Sequence, residues 1–396
     1  MRRSLVSALL ALSVTACGAS GPSDQAVTSS PAGTSGPAGA SGRPPTATEP
    51  SGVRPSPWLP GVNHPTPAPT MGTWRETTLP GAGAQMNGVV ALSPDDAWAV
   101  GNVGEGEPVA HLVHWNGRTW RPVTPPEGLF PVRAVSASSG DNVWIFGAAG
   151  VWRRTGGGWS DMGGLRGSRR HLLEAAVVAG PRDVWIAGTT EGAGATNPES
   201  RRPFLRRWSG TGWSDFSLPP GVGIHAFGAV GPRDVWALGR EPDGGGVVMR
   251  WDGDRWNIVP MPPPLVERKV ELGDIAAVSA DEAWAIGRDK AAAVVIRWDG
   301  RRWNVVDGPA RFVHFSAVAP DGRDGAWVAA DYWDYTDDRI LLHYDGRSWT
   351  YEKTPGTRKA PAVFDLALIP GSNQVIGVGG EPAADENSTA WIWTRH

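Results

Sequence analysis

Seven copies of a two-part phrase, recurring at intervals of roughly 41 to 51 residues, predict an all-β chain closed into a ring, a seven-bladed β-propeller. Each copy reads as four short antiparallel strands. The last copy is one strand short, and the N-terminal side of the array has one strand to spare. Those three observations carry the fold prediction, and each element can be justified in chain order.

The chain has 396 residues and a formal net charge of −3, with no long run of one sign, so a nucleic-acid partner has no electrostatic support. Of 37 basic residues only Lys269, Lys290, Lys353 and Lys359 are lysines, a bias of GC-rich coding genomes. Arg2 and Arg3 precede an apolar run from Leu5 to Leu12, which is too short to span a bilayer and reads as a secretory leader over residues 1–16. The segment Val14-Thr15-Ala16-Cys17 resembles the lipobox of bacterial lipoproteins. That resemblance implies cleavage before Cys17 and a diacylglyceryl group on its thiol; the alternative is an ordinary leader with a chance cysteine. Cys17 is the chain's single cysteine, so no disulfide is available to the exported part. The leader fits either a Sec or a twin-arginine route.

Residues 17–72 form the next expected unit. They are rich in Gly, Ser, Pro, Thr and Ala and have no apolar periodicity, which predicts a disordered tether. As a coil it would reach roughly 40 Å and hold a folded domain clear of a membrane. The propeller is expected over 73–396.

Within each unit a small apolar run comes first, such as Ile275 to Val278. A polar turn leads into a strand containing Trp-x-x-Gly, as in DDAWAVG ending at Gly101 and RDVWALG ending at Gly239. A variable loop and a third strand follow. The phrase x-Asp/Asn-Gly, as in RWDGDRW and HWNGRTW, predicts a two-residue hairpin of type I′ before the fourth strand and its Trp. Pro126, Pro219, Pro262, Pro309 and Pro355 each stand six residues after that Trp, suited to ending an outer edge strand. The seventh unit ends in TAWIWTRH, with room for a third strand only. GTWRETTLP, with Trp74 and Pro80 at the same offset, supplies the fourth strand from the N-terminal side.

Phrases such as YDGRSWTYEKTP and RWDGDRWNIVPMPPP resemble kelch repeats and the central domain of galactose-oxidase-like proteins. The pattern is most similar to Trp-rich, kelch-like propeller lipoproteins of actinobacteria. It departs from kelch in having mostly one Gly after the second strand rather than two. The copper chemistry of the galactose-oxidase family needs a Cys-linked Tyr, and Cys17 is committed to the leader junction, so that activity is not expected.

No HExxH, GxSxG or phosphate-loop pattern is present, and His111 and His114, three apart on a strand, point to opposite faces. No metal, cofactor or catalytic set is expected. The recurring Trp residues are expected to pack between blades. Trp333, in the insertion DYWDYTDD, is a secondary candidate: aromatics mixed with carboxylates suit stacking on a sugar or binding Ca²⁺, though the spacing fits no EF-hand pattern, and otherwise the insertion is a solvated loop.

The main candidate site is a ring of polar residues near the start of each unit's first strand: Asn87, Arg133, Glu174, His225, Asp274, His314 and Asp365. In a propeller these line one mouth of the central channel, either as a ligand funnel or as the lining of a water-filled passage. The expected protein is a lipid-anchored, monomeric binding or scaffolding module on the outer face of the cell membrane. Its expected partner is an envelope protein or a cell-wall glycan. A polysaccharide hydrolase or lyase with its site at the same mouth is the alternative.

Overall fold

The computed structural model describes residues 68–69, 74–79, 84–104, 109–129, 131–148, 150–165, 170–191, 201–289, 293–306, 312–332, 339–353, 362–380 and 389–395. Residues 1–67, with the expected leader and Cys17, lie outside them, as does Trp333.

Seven four-stranded antiparallel sheets succeed one another along the chain. The innermost strands are Gln85–Ser93, Val132–Ser139, Arg170–Gly180, Gly223–Gly231, Glu271–Ser279, Phe312–Pro320 and Ala362–Leu368. Each touches the next, and the seventh touches the first, so the ring is closed. The N-terminal strand Trp74–Leu79 pairs antiparallel with Ala390–Arg395 and completes the seventh blade. Ala68 and Pro69 add a short parallel pairing on the outer edge of blade 6, at Thr350 and Tyr351. That pairing falls inside the stretch assigned from composition to the tether.

The core is seven seams rather than one centre. Trp98, Trp144, Trp185, Trp236, Trp284 and Trp327 are each at most 1% exposed, and Ile376 takes the same place in blade 7. Each of them packs against the following blade. Trp236, for example, meets Val270, Leu272, Trp298 and Trp303 of blade 5. Its ring centroid lies 5.2 Å from those of both Trp298 and Trp303, near edge-to-face. The repeated Trp is therefore the piece of each blade that only a neighbour can bury, and a closed ring leaves none exposed.

A charged group seals the other side of most of these rings. Arg250 lies 4.6 Å over Trp236 and donates to Asp234 at 2.7 Å; Arg297 does the same with Trp284 and Glu282. In blades 1 and 6 a histidine stands in: His114 stacks on Trp98 beside Asp96, and His343 on Trp327 beside Asp321.

Two local features differ from the sequence expectation. In the outer hairpins the acidic residue is not one of the two loop residues. Asp252 sits one place earlier and its carboxylate accepts the N–H groups of Asp254 and Arg255. Only Gly253 takes positive φ (100°), the requirement of a II′ turn rather than the expected I′. A short helix, Pro263–Glu267, also stands between blades 4 and 5, with Leu265 fully buried in their seam. Proline at the first helical position costs nothing there, because that N–H would lack a helical partner anyway.

Candidate functional site at the channel mouth

Because the four strands of a blade alternate in direction, first-to-second and third-to-fourth connections share one face of the ring. That face is built mostly of two-residue turns such as Pro94-Asp95 and Pro232-Arg233 and of the Gly-containing hairpins, with longer connections at 321–325 in blade 6 and 369–374 in blade 7. The other face carries every second-to-third connection and every link between blades, and these vary, from 148–150 in blade 2 to 192–201 in blade 3. The candidate residues lie at this variable face.

The inner strand of every blade carries a β-bulge just after its start, where one extra residue is inserted against the second strand. The bulge presses the inner backbone against the glycine of Trp-x-x-Gly. A Cβ on Gly101 would come within 1.9 Å of the Gln85 carbonyl oxygen, and one on Gly379 within 1.7 Å of that of Ala362. That close approach explains why the phrase ends in glycine. Blade 6, where Ala330 replaces it, has a second register shift between Phe312 and His314.

Asn87, Arg133, Glu174 and His225 are the bulge residues of blades 1 to 4. The structurally equivalent residues in blades 5 to 7 are Gly273, Ser316 and Phe364. Asp274 and Asp365 fall one place further along, level with Gly88 and Ala134 of blades 1 and 2. His314 lies two residues before its blade's bulge, and its side chain is outside the described part.

Most of these groups are tied across seams. Three bulge side chains donate to the same relative acceptor, the carbonyl just before the next blade's bulge. Asn87 Nδ2 reaches Val132 O at 3.1 Å, His225 Nε2 reaches Leu272 O at 2.6 Å, and Ser316 Oγ reaches Val363 O at 2.8 Å. The two aspartates accept instead: Asp274 from the Val318 N–H at 2.9 Å and Asp365 from the Val89 N–H at 2.8 Å. The Asp365 bond crosses the closing seam from blade 7 to blade 1.

The electrostatics follow from burial in a narrow passage. Water can touch the inner wall, yet protein surrounds each group, so desolvation dominates. It raises Asp274, and together with the charge of Asp274 it pushes the Asp365 carboxyl up to about 7. Burial holds His225 below its ordinary value, favouring the neutral ring. It also raises Glu174, against the opposing pull of a hydrogen bond from Thr189 at 3.2 Å and of Arg201, Arg133 and Arg240 nearby.

Arg240 was not among the residues picked out in the sequence. It is ion-paired to Glu271 of the next blade, and Arg288 is close enough to act on its charge. A sequence signal existed: in blades 4 and 5 alone the Trp-x-x-Gly glycine is followed directly by arginine. Among the described residues, no group of three His, Cys, Asp or Glu side chains converges as a metal-binding set.

The class defined by this geometry is the seven-bladed, four-strand-per-blade β-propeller. Solved structures of that class align over most of the chain. A structure of YCF48 bound to D1 peptide is 16% identical, with a TM-score of 0.56, covering 83% of this chain and 97% of that one. A catalytically inactive virginiamycin B lyase from Staphylococcus aureus with quinupristin is 12% identical, TM-score 0.54, covering 81% and 99%. The WD40 repeats of RRP9 are 11% identical, TM-score 0.55, covering 85% and 100%. At such identities the likeness is one of fold alone. No family model matches the sequence, and no curated protein matches it.

Proposed function

We propose that the chain is a non-enzymatic binding or scaffolding module, held at the outer face of the cell membrane by a lipid on Cys17, whose variable face engages an envelope protein. The observation that carries this reading is the asymmetry of the ring. One face is made mostly of short turns, two residues long between the first and second strands of blades 1 to 5; the other surrounds the channel mouth with connections of widely differing length and with the polar bulge residues. Loops on a rigid scaffold are where binding residues collect. The leader, the cysteine and the tether support a site displayed away from a bilayer. That a propeller of similar fold, YCF48, is found with a peptide is in keeping with a protein or peptide ligand. A kelch-like relationship remains part of this reading through the hairpin phrases.

The test is cross-linked capture from membrane extract. Partner recovery should fall when variable-face residues such as Arg133 and Glu174 are replaced, and hold when turn-face residues such as Arg233 are replaced. The reverse pattern would overturn the assignment of faces.

One observation favours a second reading, a polysaccharide hydrolase or lyase: Asp365, near 7, feels the charge of Asp274 in the channel, a juxtaposition suited to acid–base work. Release of reducing ends from cell-wall glycan, abolished by Asp365→Asn, would carry that reading instead.

A further inference from the structure

The residue after the Trp-x-x-Gly glycine ends the second strand at the mouth, and its identity changes from blade to blade. In blade 1 it is Asn102, which exchanges hydrogen bonds with the Val132 backbone at 3.0 and 3.1 Å. In blade 3 it is Thr189, bonded to Glu174. In blades 4 and 5 it is Arg240 and Arg288. Glu271 pairs with Arg240 through its carboxylate, and stands opposite Arg288 in the blade 5 ladder. Arg288 is half-buried, and its side chain has, among the described residues, neither a hydrogen bond nor an ion pair. On the far side of Glu174 stands Arg133, whose Nε is buried without a hydrogen-bond partner.

Buried or half-buried guanidinium donors are normally satisfied, because leaving them bare costs more than the bond is worth. Here two arginines on one arc, Arg133 and Arg288, keep unused donors. The wall beside the second is also open. Gly223 stands across from Arg240, and Gly273 is the bulge residue of blade 5, where the other bulge positions hold side chains. A Cβ added at either glycine would meet nothing within 4 Å. In blade 5 an arginine side chain without an ion pair and room without a side chain occur together.

We propose that the arc of the mouth formed by blades 2 to 5 binds an acidic peptide, with a carboxylate, from an acidic side chain or a chain terminus, on Arg288 beside Arg240. This rests on the reading of the variable face as the binding face and names the chemistry of its ligand. Guanidinium forks match a carboxylate in shape as well as charge. A peptide fits better than an acidic glycan because sugars use exposed aromatic platforms. The large apolar side chains exposed among the described residues are Val109, Val230, Ile258, Val266 and Val278, with no aromatic ring.

The experiment measures binding of fluorescein-labelled hexaglutamate to the full-length chain in detergent, by anisotropy at low and physiological salt. Hexalysine and polygalacturonate serve as comparison ligands. Hexaglutamate should bind, more weakly as salt rises, and Arg288→Gln should weaken it by about tenfold or more. Gly273→Gln should do the same by filling the open space without changing charge. Both variants should melt with wild type, since neither position makes a contact the fold depends on. Absence of hexaglutamate binding, or equal binding by both variants, overturns the proposal. Tighter binding of polygalacturonate than of hexaglutamate overturns the peptide assignment in favour of an acidic glycan. The two readings fail separately. A chain that binds hexaglutamate through Arg288 but captures no envelope partner loses the proposed function and keeps this site. One that captures a partner at its variable face, unaffected by either variant and blind to hexaglutamate, does the opposite.

Discussion

Asp365→Asn probes the channel wall most directly. The Asp365 carboxyl accepts the N–H of Val89 across the closing seam and that of Leu366 in its own strand, both at 2.8 Å. Two such bonds alone would favour the ionised form. Burial first, and the charge of Asp274 second, outweigh them and push the group from 3.8 to about 7. A carboxyl raised in the folded state holds a proton that the unfolded chain gives up. Its stabilising contribution is therefore complete below about pH 4, declines as pH rises, and is gone above about pH 7. At about 1.4 kcal/mol per pH unit, an interval of about three units amounts to about 4 kcal/mol at most.

Asparagine has nearly the same shape and no charge, and keeps an oxygen for the Val89 N–H, but its amide nitrogen cannot accept from Leu366. The variant should therefore melt below wild type near pH 4 and gain on it steadily as pH rises to 8. For a ring of this size, at about 2 °C per kcal/mol, that relative gain in melting temperature would reach about 8 °C. Thermal melts followed by tryptophan fluorescence from pH 4 to pH 8.5 would read it. If the difference between Asp365→Asn and wild type stays constant from pH 4 to pH 8, the N–H donors hold the carboxylate ionised and the burial argument is wrong.

Three other outcomes follow from the same structure. Trp74 packs edge-on against Trp327 and donates at 2.6 Å to Glu352, a carboxylate 2% exposed, so Trp74→Ala should cost about 3–5 kcal/mol in a denaturant titration, while deleting residues 19–60 leaves the midpoint unmoved. Gly379→Ala drives a methyl group into the Ala362 carbonyl and should cost about 1–3 kcal/mol, whereas Gly212→Ala, with open space around it, should be close to neutral by the same measurement. Cys17→Ser should leave the protein unprocessed or free of the membrane fraction, since stable anchoring needs more than one acyl chain on that residue; processed protein still sedimenting with membranes would refute the lipid anchor.

The ring was legible because its cause is repeated. Every blade must hand its Trp to a neighbour, so Trp98 through Trp327 recur with a period that a reader can count, and the unit lacking a fourth strand points to Trp74 as its replacement. The mouth was harder to read because a bulge defeats counting. Strand residues alternate faces with period two only while the ladder is regular. The residue inserted near the start of each inner strand put Asp274 and Asp365 one place past the position of Asn87, and concealed that Gly273, Ser316 and Phe364 occupy it. The helix at Pro263 was missed for a related reason, since a proline run reads as loop until a buried Leu265 anchors it. Polarity at the mouth was also ambiguous in a way only geometry resolves. Asn87, His225 and Ser316 share one task, a donor to the carbonyl ahead of the next bulge, which would be required of a ring with no ligand at all. Departures from that task are the informative positions. Arg133, Glu174, Gly273 and Phe364 depart from it; the first three belong to the same arc as Arg240 and Arg288, where unused donors and open space coincide. The polar residues that repeat their bonding hold the ring together, and the proposed carboxylate site lies among positions that do not share it.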